Sequence, residues 1–184
     1  MKILVKHIAA AIHTAETTGI RVRINGVFVD GRYSVSTNGA ALSAYRGPES
    51  DEYLPPFIIP LPYAKLIAKL KPAEVDAVAT PYGQIDIGGV VFSPLAWSFP
   101  DWRRVVGKAV PGSRTAHLNP ELLYLFVKVA KALGRRPEHI ALWNVENDPA
   151  AARVAIAGCE SEFMGVIMGF RATEKVPLPE CGEW

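Results

Sequence analysis

Apolar residues along the chain switch between helical and strand-like spacing three times, and each switch opens a new unit. Leu4, Val5, Ile8, Ile12 and Ala15 recur at helical intervals, with Lys2, Lys6 and His13 on another side, which predicts a helix over 3–16. Short strands are then predicted over 20–24, 27–29 and 32–36, divided by Asn25-Gly26 and Asp30-Gly31. Asn-Gly and Asp-Gly pairs mark tight hairpins because both central residues of a type I′ turn need positive φ. A fourth strand, 42–46, follows Thr37-Asn38-Gly39, and 47–51 reads as a loop.

The second unit opens with Phe57-Ile58-Ile59-Pro60 and a helix over 62–71, closed by Pro72, with Leu66, Ile67 and Leu70 as its apolar stripe. Strands follow over 75–80, 84–87 and 90–93, with turns at Pro81-Tyr82-Gly83 and Gly88-Gly89. The third unit opens near 114–118. Asn119-Pro120 supplies an N-cap and a proline at the first helical position, and Gly134 stops the helix after Leu133. Leu123, Phe126, Val127 and Ala130 form its core face, and strands follow over 140–145, 153–157 and 163–170. Three-turn helices alternating with groups of antiparallel strands predict an α+β fold rather than a doubly wound sheet.

Composition narrows the function. The 184 residues are 49% hydrophobic and 21% charged, ordinary for a globular chain, with a formal net charge of +2. Any contact with nucleic acid must therefore come from local clusters. Lys2, Lys6, Lys65, Lys69, Lys128 and Lys131 stand on helix faces opposite the apolar stripes, where a solvated surface explains them as well as a binding one. Cys159 and Cys181 have no metal-type spacing, no apolar run reaches the ~18 residues of a membrane span, and the start lacks a signal-type apolar region. A reduced, cytoplasmic protein is expected. The four histidines lack HxH or HExxH spacing, no GxSxG is present, and Gly88-Gly89 is not followed by the Lys-Ser/Thr of a phosphate loop. No enzyme, cofactor or metal is expected. Trp143 is expected in the core, with Trp97 and Trp102 packing or walling a pocket.

The run Phe99-Pro100-Asp101-Trp102-Arg103-Arg104-Val105 resembles the FPD[YW]RRV linker signature of the bacterial sliding clamp, the β subunit of DNA polymerase III. Other segments match the clamp in the right order. Arg21–Val27 resembles the strand and Asn-Gly turn after the first helix of its second domain, and Val35–Leu42 its VATDGHRL segment. Ile59-Pro60-Leu61-Pro62 resembles its VPRK helix entry, and Val166–Arg171 its terminal VVMPMR. The resemblance covers about 1–172. It implies a DNA-clamp fold of three helix-plus-strands units where an intact clamp has six: a complete two-unit domain over 1–108 ending in the linker, half a domain over 109–175, and a tail over 176–184.

The resemblance also implies sites and partners. The family's peptide-binding pocket maps onto Ile24, Thr37, Gly39, Leu42, Pro100, Arg104, Val105, Val166, Ile167, Met168 and Arg171. Asn38-Gly39-Ala40-Ala41 replaces Asp-Gly-His-Arg, and Gly169-Phe170 replaces Pro-Met, so the rim differs from the family's. The six lysines named above would face duplex DNA without reading its sequence. The implied function is a non-enzymatic processivity factor that embraces double-stranded DNA as a homo-oligomer and tethers a polymerase or other proteins carrying clamp-binding peptides. A family ring holds twelve units, so four such chains would close one. The implied setting is a reduced replication system, such as that of a phage or mobile element. The alternative is a truncated module that regulates replication by competing for clamp-binding peptides without encircling DNA. An enzyme on a clamp-like scaffold would need a convergent polar cluster that the sequence does not show.

Overall fold

The computed structural model describes residues 1–50, 52–106, 109–110, 118–146 and 148–169. In the first unit β1 (Lys2–Leu4) runs straight into α1 (Val5–Ala11), and β2 (Gly26–Asp30), β3 (Tyr33–Thr37) and β4 (Ala41–Arg46) follow. The second repeats that order: β5 (Phe57–Pro60) runs into α2 (Leu61–Ile67), then come β6 (Glu74–Ala79), β7 (Ile85–Ile87) and β8 (Val90–Phe92). A linker carrying the short helix α3 (Arg103–Val106) leads to the third unit. That unit holds β9 (Ala109–Val110), α4 (Pro120–Ala132), β10 (Ile140–Val145), β11 (Asp148–Ile156) and β12 (Phe163–Met168). The architecture is α+β, as the alternation of periods predicts.

The strands form two antiparallel sheets with a crossed arrangement. The small sheet has the order β1-β6-β7-β8, the large one β5-β2-β3-β4-β12-β11-β10-β9. Units 1 and 2 thus exchange their first strands: β1 joins β6 of unit 2, and β5 joins β2 of unit 1. The third unit docks through β12 on β4, in a register that sets Val166 opposite Leu42. Strand alternation gives the large sheet two apolar faces. Val27, Val29, Ala41, Tyr45, Ile59, Phe163 and Ile167 face the helices. Val35, Leu42, Ala44, Ile58 and Val166 face the other way, where Phe99, Trp102 and Val106 of the linker cover them. The helices form a single layer in which α1 packs against both α2 and α4.

Several local expectations change. The predicted helix over 3–16 begins as β1, because Ile3 pairs with Val75 some seventy residues away, and α1 ends at Ala11. The predicted strand over 20–24 is a 3-10 turn at Val22–Ile24, and Ile20 is 83% exposed. The helix predicted over 62–71 is shorter, Leu61–Ile67. Trp143 is not a core residue: it is 46% exposed, beside exposed Leu142, because the linker's cover of the outer face reaches only Val145 on β10. Asn119 does cap α4, its Oδ1 accepting from the Glu121 N–H at 2.9 Å, and Gly134 takes φ 72° beyond the helix end. Residues 114–117 and the tail 176–184 lie outside the described residues.

Candidate functional site

The FPDWRRV run sits where it does because its aromatics anchor it. Phe99 stacks on Phe28 at 4.7 Å between ring centroids with 6° between planes, and the Trp102 ring lies 5.4 Å from that of Tyr33. Each nearly complete burial contributes about 2–3 kcal/mol. Arg103 fastens the segment from above: its guanidinium lies 4.4 Å from the Trp102 ring centroid, and its Nη1 donates to Asp30 Oδ2 at 2.6 Å. The linker is thereby held across the outer face of the large sheet.

Between the linker and the β4–β12 junction lies a cleft of about 160 Å³. Ile24, Leu42, Phe99, Trp102, Val105 and Val166 supply most of its apolar wall, with Met168 and Pro100 at the mouth. Drug-sized pockets run to ~300–1,000 Å³, so this one has room for one or two anchoring side chains. The β3–β4 turn builds the rim. Asn38 Oδ1 accepts from the Ala40 and Ala41 N–H groups at 2.9 and 2.8 Å, and Thr37 Oγ1 donates to the Ala41 carbonyl at 2.8 Å. Gly39 adopts φ 89°, and a Cβ there would collide with the Arg21 guanidinium, which donates to the Asn38 carbonyl at 2.9 Å. The Trp102 indole N–H is buried with no acceptor among the described residues.

The junction behind the cleft is clasped by charge. Glu162, before β12, accepts from Lys6 Nζ at 2.8 Å and pairs with His7 Nε2 at 3.2 Å. Burial alone would raise the Glu162 carboxyl, but the hydrogen bonds from Lys6 and His7 outweigh it and hold it below its ordinary value. Burial pushes His7 below its ordinary value, against the pull of Glu162, so at neutral pH it is an uncharged donor.

Of the eleven expected cleft positions, Ile24, Thr37, Gly39, Leu42, Pro100, Val105, Val166 and Met168 line this space. Ile167 does not: it is fully buried against the helix layer, since consecutive strand residues point to opposite faces. Arg104 does not either, being exposed outside the lining, while its neighbour Arg103 carries the anchoring contacts. Arg171 lies outside the described residues. Ala40, Ala41 and Phe99 complete the wall without having been singled out for it. The Phe99-to-Trp102 spacing could have pointed to Phe99, because both rings fall on one side of the segment.

The six lysines divide. Lys2 is paired with Asp76 at 3.0 Å and Glu74 at 3.7 Å, and Lys6 with Glu162. Lys65 and Lys69 on α2 and Lys131 on α4 are exposed, and Lys128 stands over the Tyr124 ring at 4.8 Å. A broader groove of about 700 Å³, between the end of α1 and α4, adds His13, Arg21 and Lys128 to the same helix layer, with Glu16 beside them. Among the described residues no group of His, Cys, Asp and Glu is arranged to hold a metal ion.

Two exchanged units, a third docked strand to strand, and a linker over the outer face have clear counterparts among solved structures. The DNA polymerase III β subunit of Thermotoga maritima superposes with a TM-score of 0.65 at 12% identity, covering 93% of this chain and 65% of its own. This is the fold of the bacterial sliding clamp, shortened. The Borrelia burgdorferi β subunit, solved with a natural product, gives a TM-score of 0.65 at 14% identity, over 94% of this chain and 64% of that one. The Bartonella birtlesii sliding clamp, solved bound to griselimycin, gives 0.62 at 16%, over 93% and 65%. The chain therefore spans just under two thirds of the length of these clamps. No protein-family model and no curated protein sequence matches it. No helix among the described residues is long and apolar enough to cross a membrane.

Proposed function

We propose that this chain is a non-enzymatic, clamp-type replication factor that captures short partner peptides in the cleft at the β4–β12 junction. In this reading it presents its helix layer to duplex DNA as a homo-oligomer. The observation that carries the reading is the cleft itself: a small apolar slot, walled by one unit, a second unit and the linker, with Gly39 and Asn38 shaping its rim. Such a slot suits one or two Leu or Phe side chains of an extended peptide, as carried by a polymerase or other replication protein. For DNA, Lys65, Lys69, Lys128 and Lys131 supply the sequence-independent contact, since Lys2 and Lys6 are engaged within the chain.

Fluorescence anisotropy with a labelled peptide bearing Leu and Phe anchors tests the first half. Val105 and Met168 are 41% and 37% exposed, so Val105→Glu and Met168→Glu leave the core intact. Each should weaken binding by about 100-fold. Unchanged affinity in both would overturn the cleft as the capture site. For the second half, charge reversal at Lys65, Lys69, Lys128 and Lys131 should abolish DNA binding together with its salt dependence. Peptide capture that persists in a wild-type chain that ignores DNA would point instead to a competitor for clamp-binding peptides.

A further inference from the structure

Each complete unit of this fold ends in a last strand, and the one visible junction between units that do not exchange strands joins two of them: β4 of unit 1 with β12 of unit 3. The helices of those units, α1 and α4, touch across the same junction. Unit 2 ends in β8, which pairs with β7 on one side and has no strand on its outer side among the described residues.

That edge is built like an interface. Val90, Val91 and Phe92 carry no charge, whereas edges that must stay alone are usually guarded by charge, proline or a covering loop. The edge strand β5 of the large sheet has such a cover, its Ile58 carbonyl accepting from the Leu95 N–H at 3.1 Å. Around β8 the apolar surface is open: Val91 is 45% exposed, and on the adjacent α2 Leu66 is 51% and Tyr63 37% exposed. Tyr63 lies against Phe92, with 5.6 Å between ring centroids, so α2 and the edge share an apolar surface on the helix side, while Val91 opens the opposite side of the same edge.

We propose that β8 pairs antiparallel with β8 of a second copy of this chain, with α2 packing on α2 of that copy. The second copy is the occupant because last strands join last strands, and β4 and β12 are already taken by each other. The pairing is isologous, with the two-fold axis at Val91. It sets Val91 opposite Val91 of the partner and Leu66 near its own symmetry mate. This specifies the homo-oligomer of the function proposed above and rests on that reading.

Sedimentation velocity across concentration, with a cysteine cross-link, tests it. In a Cys181→Ser background, Val91→Cys should form a disulfide-linked dimer on oxidation, because directly opposed residues of an antiparallel pair lie within disulfide reach. Val78→Cys, 56% exposed but two strands in from the edge, should not. Leu66→Glu places like charges together across the axis and should weaken the dimer by about 100-fold. An oligomer unaffected by Leu66→Glu and giving no Val91→Cys cross-link overturns the β8 interface but leaves the homo-oligomer reading standing. A wild-type chain that stays monomeric at every concentration overturns both.

Discussion

The first two units and the third solve one problem differently: each needs a strand beside the first strand after its helix. Units 1 and 2 take it from each other, β5 lying beside β2 and β1 beside β6, whereas unit 3 uses its own β9 beside β10. The spacing before the helix sets the outcome. In units 1 and 2 the strand runs straight into the helix, Leu4 into Val5 and Pro60 into Leu61, so it has no slack to turn back onto its own sheet. In unit 3 the nine residues 111–119 separate β9 from α4, a reach of up to ~30 Å. A unit that exchanges no strand can thus complete its own sheet. Exchange makes units 1 and 2 one cooperative body, while self-completion leaves unit 3 joined through the β4–β12 pairing, the α1–α4 contact and the linker.

Two glycines test that difference with the largest expected effect. Gly26 lies so close to β5 that a Cβ would meet the Ile59 carbonyl oxygen and come within 3.0 Å of Ile58 Cγ2. On β12 a Cβ at Gly165 would come within 2.5 Å of the Phe126 ring on α4, 2.9 Å of the Phe163 ring and 3.0 Å of Val154 Cβ. Valine at either site should cost about 3 kcal/mol through backbone displacement and overpacking. The damage should fall in different places. Hydrogen exchange should show Gly26→Val deprotecting both β2–β5 and β6–β8, because the exchanged strands couple those units. Gly165→Val should release α4 and β10–β12 while β6–β8 stay protected. Equal deprotection of β6–β8 in both variants would mean that the third unit is not separable.

A smaller effect, set by pH, probes the clasp between units 1 and 3. His7 is nearly fully buried on α1, with Lys6 beside it, the Tyr45 ring 5.5 Å away and Glu162 3.2 Å away from the other unit. Its folded value lies below the ordinary 6.5, so the unfolded chain takes up the proton first. Stability should therefore fall as pH drops below 6.5, by at most about 1.4 kcal/mol per pH unit, and level off below the folded value. Glu162 acts at lower pH: its carboxyl is held below 4.5, so its contribution is present above that value and is lost as pH falls through the depressed one. In denaturant melts from pH 8 to 3, His7→Gln should flatten the first decline and leave most of the second, because Lys6 still donates to Glu162. A wild-type curve flat between pH 6.5 and 5 would contradict a buried, neutral His7.

Local signals in the sequence carried the strands and turns well, and long-range pairing is where they stopped. Asp30-Gly31 and Gly88-Gly89 mark real turns between strands, Asn25-Gly26 instead opens β2 after a 3-10 turn, and the cap at Asn119 is a purely local device. By contrast, Ile3 and Val5 fit a helical stripe as well as a strand, and only the partner β6 decides that 2–4 are extended. Trp143 looks like a core residue because it is a large aromatic in an apolar-rich strand, Ile140–Val145. Its exposure follows from how far the linker reaches, a tertiary fact. Most of the cleft was reachable through family resemblance, yet Ile167 was misplaced against a rule the sequence does contain. Val166 and Ile167 are consecutive in a strand, so only one of them can face the cleft.

The two arginines of the linker sharpen the comparison at the scale of a single contact, with the smallest expected effect. They are neighbours in sequence and alike in charge, but the four-residue α3 points them in different directions. Arg103 lies over Trp102 and Tyr33, at 4.4 and 5.5 Å from the ring centroids, and pairs with Asp30. Arg104 is exposed, and the anchoring contacts belong to its neighbour. The Arg103–Asp30 pair is half exposed, so its charge term is modest and stacking on two rings carries much of the contact. Arg103→Ala should destabilise the chain by about 1 kcal/mol and loosen the Trp102 wall, lowering peptide affinity by a few-fold. Arg103→Lys should recover only part of this, because an ammonium keeps the charge but loses the planar stack. Arg104→Ala should leave the melting midpoint unchanged, within about 0.5 kcal/mol. Peptide binding then separates two roles for Arg104: an affinity loss without a stability loss would show that it reaches a bound peptide from outside the cleft, and no loss would leave it a solvated charge.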